Sequence, residues 1–246
     1  MDFQGEEPDA DTDWEGLAPG VARLRLPGWD ATVGLVAGAH GALLYDTGST
    51  LREGAGIRRG AEALLGRRVT HIALSHPHFD HVLGTGVFAG AEVFAAAGME
   101  TLLTSERESI AVDAVRQGVD PGAAAEAAEL LTAPRHLVSG ERTLDLGGGR
   151  TVLLASLGPA HSSHDLVALV PGVGGAPGVV FCGDLVEESG DPQAGPDAVP
   201  GRWPEALDRL LALGGESAVY VPGHGAAVDA AFVRAQRDTL AARFGV

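Results

Sequence analysis

Short apolar runs bounded by Gly, Pro and Asp alternate along this chain with longer stretches whose apolar positions recur at helical spacing. The runs predict strands over 21–26 (VARLRL), 31–37 and 41–46 (GALLYD). A helical pattern follows over 53–66, with Ile57, Ala61, Leu64 and Leu65 on one face. A strand over 71–75 (HIALS) runs straight into a histidine cluster, and a short helix is expected to begin at His81 or Val82. Residues 98–131 pattern as helix, broken at Asp120-Pro121-Gly122, where Asp120 is placed to cap the second piece. Strands over 142–146 and 151–157 flank Gly147-Gly148-Gly149, a hairpin turn. Further strands are predicted over 165–170, 178–182 and 218–221, and helices over 203–213 and 226–243. Strands interspersed with helices in each half fit two packed sheets with helices outside, an α/β architecture.

Composition narrows the class. The 246 residues suit one large domain, and 45% apolar content supplies a full core. Aromatics are only 5%, so Val, Leu and Ala must build that core. All 17 basic residues are arginine, which we read as a base-composition bias of the source genome. The formal charge is −16, and residues 1–15 hold seven acids and no base. Without those seven the body still carries −9, a surface that repels phosphate backbones and argues against a nucleic-acid partner. Residues 1–18 are expected to form a disordered acidic tail and 19–246 a single domain. A lone Cys182 allows no intrachain disulfide, no apolar run is long enough to span a membrane, and the N-terminus is acidic where a secretory signal would be basic. A cytoplasmic, soluble protein is the expectation, with a small molecule rather than nucleic acid or membrane as its partner and oligomeric state open.

The chemistry concentrates in His76-Pro77-His78-Phe79-Asp80-His81. Three imidazoles and a carboxylate within six residues cannot enter a core unpaired, because buried polar groups are costly. After a strand, alternate residues project the same way, so His76 and His78 can share one metal while Asp80 and His81 face a neighbouring position. Pro77 stiffens the loop. This donor mix suits zinc, with iron or manganese also able to bind. An exposed His-rich loop is the bland alternative, disfavoured by the apolar segments on both sides. Three more donors each end a predicted strand: His161 after TVLLASL, Asp184 after GVVFC and His224 after AVYV.

With Leu43-Leu44-Tyr45-Asp46-Thr47-Gly48, the HxHxDH run, the His161 loop, Cys182-Gly183-Asp184 and Pro222-Gly223-His224-Gly225 in this order, the chain resembles the metallo-β-lactamase-fold superfamily from about Val33 to Val228. The resemblance implies a four-layer αβ/βα sandwich with two metal ions at one edge of the sheets. It implies that His76, His78 and His161 hold the first ion, that Asp80, His81 and His224 hold the second, and that Asp184 bridges them. Asp46 would support the ligand loop from behind, although a structural aspartate starting the Thr47-Gly48 turn is an equal reading. Ser75 replaces the family's usual threonine, and Ala160-His161-Ser162 its usual Gly-His-Thr.

The implied reaction is hydrolysis by a metal-bridging hydroxide, with Asp80 orienting it or accepting its proton. β-Lactamases of this fold generally carry Cys or Ser where Asp184 stands, whereas glyoxalase II-like thioesterases and lactonases carry the aspartate. An ester, thioester or lactone is therefore the expected substrate, with a β-lactam or an iron-dependent persulfide dioxygenase reaction as alternatives. His164 is a weak substrate-contact candidate, better explained by a hydrogen bond to a neighbour. His40, His71 and His136 are expected to be structural or exposed, Cys182 a buried thiol, and residues 98–136 a cover over one side of the metal pocket.

Overall fold

The computed structural model describes residues 14–246, which form two sheets. In the first, β1 (Glu15–Ala18), β2 (Val21–Arg25), β3 (Thr32–Ala37), β4 (Ala42–Tyr45), β5 (His71–Ala73), β6 (Glu92–Ala96) and β7 (His136–Val138) lie in chain order. Its first three pairings are antiparallel and its last three parallel. The second sheet contains β8 (Glu141–Gly147), β9 (Arg150–Ser156), β10 (Leu166–Val170), β11 (Val179–Glu187) and β12 (Val219–His224), ordered β12-β11-β10-β9-β8. Only β11 and β12 pair in parallel there.

Strand alternation separates the cores. Leu43 and Tyr45 of β4 face the second sheet, where they join Leu166 and Ala168 of β10 and Val179 and Phe181 of β11. Leu44 points the other way. It packs with Ile57 and Ala61 of α1 (Leu51–Leu65), beside Ile110 and Ala114 of α4 (Arg107–Arg116) and Ala124 of α5 (Pro121–Glu129). On the far face of the second sheet, Val167, Val180 and Tyr220 meet Trp203, Leu207 and Leu210 of α6 (Trp203–Gly214) and Val233 and Leu240 of α7 (Ala230–Phe244). A period of two on both sheets thus yields three apolar layers and the expected four-layer sandwich.

Several boundaries differ from the sequence reading. Residues 15–18 of the tail expected over 1–18 are a strand instead, because Glu15–Ala18 pairs with β2 and the Glu15 carboxylate accepts from buried Arg23 at 2.8 Å. The remainder of that tail, 1–13, lies outside the described residues. β6 and β7 are absent from the sequence reading: EVFAA runs on through Ala97 and Gly98 into the helix that starts at Met99, and β7 has only three residues. The 98–131 helix is three helices, α3 (Met99–Ser105), α4 and α5, with an extra break at Glu106. Asp120 does cap α5, accepting from Ala123 N at 2.9 Å. The 147–149 turn stands as expected, with all three glycines at positive φ.

Candidate metal centre

The histidine run leaves β5 at one edge of both sheets. His76 lies in the loop, His78 is the N-cap of α2 (Phe79–Val82), and Asp80 and His81 lie on α2 itself. His161 comes from the turn after β9, Asp184 from within β11, and His224 from the end of β12. All seven converge. His76, His78, His161 and Asp184 offer donor atoms within 4.8 Å of one another, and so do Asp80, His81 and His224. Asp184 belongs to both sides: Oδ2 lies 3.6 Å from His76 Nε2 and 3.5 Å from His161 Nε2, while Oδ1 lies 3.2 Å from His81 Nε2. Oδ2 is also 3.3 Å from His224 Nε2. Asp80 Oδ2 sits 3.3 Å from His224 Nε2 and 3.4 Å from His81 Nε2.

Glycines permit this approach. A Cβ at Gly223 would stand 1.8 Å from Asp184 Oδ1, and one at Gly183, at φ +54°, would stand 2.8 Å from Ser75 Cβ. The Cys-Gly-Asp and Pro-Gly-His turns need glycine because β11 passes β12 and the ligand loop too closely for a side chain.

The outward nitrogens of four imidazoles are fixed from behind. His81 Nδ1 lies 2.9 Å from Asp46 Oδ2, whose Oδ1 accepts from Ser75 N at 2.7 Å. His76 Nδ1 meets Ser75 Oγ at 2.8 Å, and His224 Nδ1 donates to the Trp29 carbonyl at 2.7 Å. His78 turns its Nε2 to the Asp197 carboxylate at 3.2 and 3.3 Å, leaving Nδ1 for the cluster. Thr47 anchors α2, since its backbone N–H and its hydroxyl both donate to the His81 carbonyl. Asp46 holds this place at φ +65°, a conformation aspartate tolerates better than most residues.

Electrostatically the cluster is tightly opposed. Burial works against the Asp184 charge, yet His81, His224 and His76 hold its carboxyl well below the usual range. Burial likewise opposes charge on Asp80, and His81 and His224 override it downward. His76 is pushed well down by burial, and His161 down to about 4 by the same cause. Burial also depresses His224, but Asp184 and Asp80 lift it to about 11.

The residues fit divalent metal. His76 Nε2, His81 Nε2 and Asp184 Oδ1 are buried without a hydrogen-bond partner among the described residues. Such orphans are costly, and nitrogen and carboxylate donors are what zinc, iron and manganese take.

The model of the metallo-β-lactamase superfamily matches residues 26–224. This chain belongs to that superfamily. Solved structures agree on the fold. The metallo-β-lactamase FIM-1 of Pseudomonas aeruginosa, in a mono-zinc form, superposes with TM-score 0.69 at 19% identity over 95% of this chain and 96% of its own. The metallo-β-lactamase from Pontibacter korlensis gives 0.67 at 20% over 93% and 98%. That from Hirschia baltica gives 0.65 at 17% over 93% and 97%. The superfamily match begins seven residues before the Val33 expected from the motifs and stops at His224.

Of the weaker candidates, Asp46 lies behind His81 as described. His164 stays out of the cluster, its Nδ1 2.7 Å from Ser163 Oγ and its Nε2 against Gly98. His71 and His136 flank Phe94 and share Glu92. Cys182 is buried, its thiol pushed up by that burial. Asp197 and Asp165 were missed. Asp165 accepts from Ala160 N, Ser162 N and Ser162 Oγ, which shapes the turn that carries His161. No helix among the described residues is long and apolar enough to cross a membrane.

Proposed function

We propose that this member of the superfamily is a dinuclear metallohydrolase of the glyoxalase II-like kind, cleaving an ester, thioester or lactone in the cytoplasm. The observation that carries this reading is Asp184, whose two oxygens face both donor groups at 3.2–3.6 Å. His76, His78, His161 and Asp184 would hold one ion, and Asp80, His81, His224 and Asp184 the other. When bound, zinc supplies Lewis acidity toward a carbonyl and lowers the pKa of water. The chain's own residues do the rest. Asp80, at the pocket edge of α2, orients the attacking water or takes its proton; Asp46, Ser75, Asp197 and the Trp29 carbonyl keep four of the five imidazoles turned toward the cluster.

Metal analysis of protein purified without added metal, paired with thioesters, lactones, phosphodiesters and a chromogenic β-lactam, tests the reading. Two zinc ions per chain and preferential cleavage of an ester, thioester or lactone are expected. One iron per chain with oxygen uptake on a persulfide would replace hydrolysis by dioxygenase chemistry. The similar structures are those of metallo-β-lactamases, so preferential β-lactam turnover is the outcome that would move the substrate.

A further inference from the structure

The pocket above the cluster has a volume of about 540 Å³. His78, Asp80, His161 and Asp184 form its floor, and one face of α4 forms a wall. Glu106, Ser109, Ile110, Asp113 and Gln117 on that wall follow helical spacing. Among the described residues, every charged group of the lining other than histidine is an acid, and no arginine enters it; lysine is absent from the whole sequence. Three of the five acids already have cationic or imidazole partners: Asp80 and Asp184 in the cluster and Asp197 on His78. Glu106 and Asp113 do not. Neither side chain has a hydrogen bond or ion pair among the described residues. They stand two turns apart, about 10 Å along the helix, with the apolar Ile110 between them. Both are solvent-exposed, whereas Ile110 is buried. Arg107 and Arg116, on the same helix, lie outside the lining.

We propose that the pocket selects substrates by charge: the substituent remote from the scissile carbonyl is a cationic group on an apolar stem, neutral groups are tolerated, and carboxylate or phosphate groups there are rejected. Ile110 and Leu102 would cover the stem, and Glu106 and Asp113 would bracket the ammonium. The donor cluster at the floor, where Asp184 Oδ1 is buried and unpartnered among the described residues, would fix where the carbonyl goes, so the wall fixes what lies beyond it. This inference rests on the hydrolytic reading above for its substrate, though not for its charge preference.

The test uses the zinc-loaded full chain and three matched 4-nitrophenyl esters, of pentanoic acid, of 4-(trimethylammonio)butanoic acid and of glutaric acid as the half-ester. Two exposed ion pairs give roughly a 10-fold preference. The cationic ester is therefore expected to exceed the neutral one in kcat/KM by about that factor at low salt and the anionic ester by more. The spread should shrink to within about 3-fold in Glu106→Gln/Asp113→Asn. Glu126→Gln/Glu129→Gln, which removes the same charge from exposed positions on α5 outside the pocket, should leave it intact. Equal or better turnover of the anionic ester, or an unchanged spread in the pocket variant, would overturn the proposal. A second measurement needs no turnover. Trp29 lines the pocket and Trp203 is fully buried, so in a Trp14→Phe background quenching by the N-methylnicotinamide cation relative to iodide should fall in the pocket variant and not in the α5 variant. If none of the three esters is cleaved, the hydrolytic reading is decided by the thioester and lactone panel and the quenching ratio alone decides the charge preference, an unchanged ratio refuting it.

Discussion

Asp46→Asn separates a residue that tunes a metal ligand from one that merely starts a turn. The substitution keeps shape and tolerates φ +65° as well as aspartate does. Its consequence is a hydrogen-bond conflict. The native carboxylate accepts twice, from Ser75 N at 2.7 Å and from His81 Nδ1 at 2.9 Å, and it is almost wholly buried. A carboxamide has one acceptor oxygen. If that oxygen stays with Ser75, the amino group faces His81 Nδ1, and the imidazole must move its proton to Nε2. That is the atom 3.2 Å from Asp184 Oδ1 and 3.4 Å from Asp80 Oδ2, where it must be a free lone pair to bind a cation. If the amide flips, Ser75 N–H is left buried and unsatisfied, costing about 1–3 kcal/mol. Loss of such a supporting partner lowers metal affinity roughly 10–100-fold, or about 1.4–2.7 kcal/mol. On the dinuclear reading, zinc titration against a chromogenic chelator should resolve two ions. The one on the His81 side should weaken by that factor, while the one held by His76, His78 and His161 changes little. Native affinities for both ions, with only the unfolding free energy reduced, would refute the reasoning and leave Asp46 as a turn residue.

Asp80→Ala should abolish turnover while the first zinc is retained; activity within tenfold of native, measured at matched zinc content, would remove Asp80 from the reaction. Gly223→Ala places a Cβ 1.8 Å from Asp184 Oδ1, so the carboxylate must swing out, and zinc stoichiometry should fall below two even if circular dichroism is native. Gly84→Ala drives a Cβ to 1.9 Å from the Thr47 carbonyl oxygen; it should cost about 1–3 kcal/mol or more in urea unfolding, and a neutral effect would show the contact of the turn after α2 with Thr47 and Gly54 to be looser than described. Burial pushes the Asp165 carboxyl up to about 7 despite its hydrogen bonds from Ser162 and Ala160. The folded chain thus holds a proton that the unfolded chain releases near pH 4, so this group's contribution is whole below about pH 4 and is lost as pH rises toward about 7. Asp165→Asn should flatten the decline of unfolding free energy across that window, and an unchanged slope would argue against it.

What the sequence makes legible follows the range of the forces involved. The HxHxDH run is local: four donors are packed into six residues, and no satisfied core would hold them unpaired. His161, Asp184 and His224 are also locally marked, each ending an apolar run, and the sheets bring those ends to one edge. The layers are equally legible, because Leu43 and Leu44 must face opposite ways in any strand. β6 is harder, since Glu92–Ala96 flows into alanine and methionine with no break in hydropathy. Its strand character comes from pairing with β5 and β7 on either side. Asp197 is the clearest limit. It lies in a Pro/Gly/acid-rich loop without periodicity, 119 residues from the His78 ring it supports. A carboxylate there carries no signal until β11 has been laid against β12 and α6 turned back over the edge. The same holds for Glu106 and Asp113: in sequence they are ordinary exposed acids of a surface helix. Once α4 stands beside the cluster they become the unpaired charges of a cavity, and no arginine lines that cavity among the described residues. Donor identity is therefore local information, whereas the environment that selects what those donors act upon is assembled by the fold, which is why the chemistry was legible before the substrate's charge.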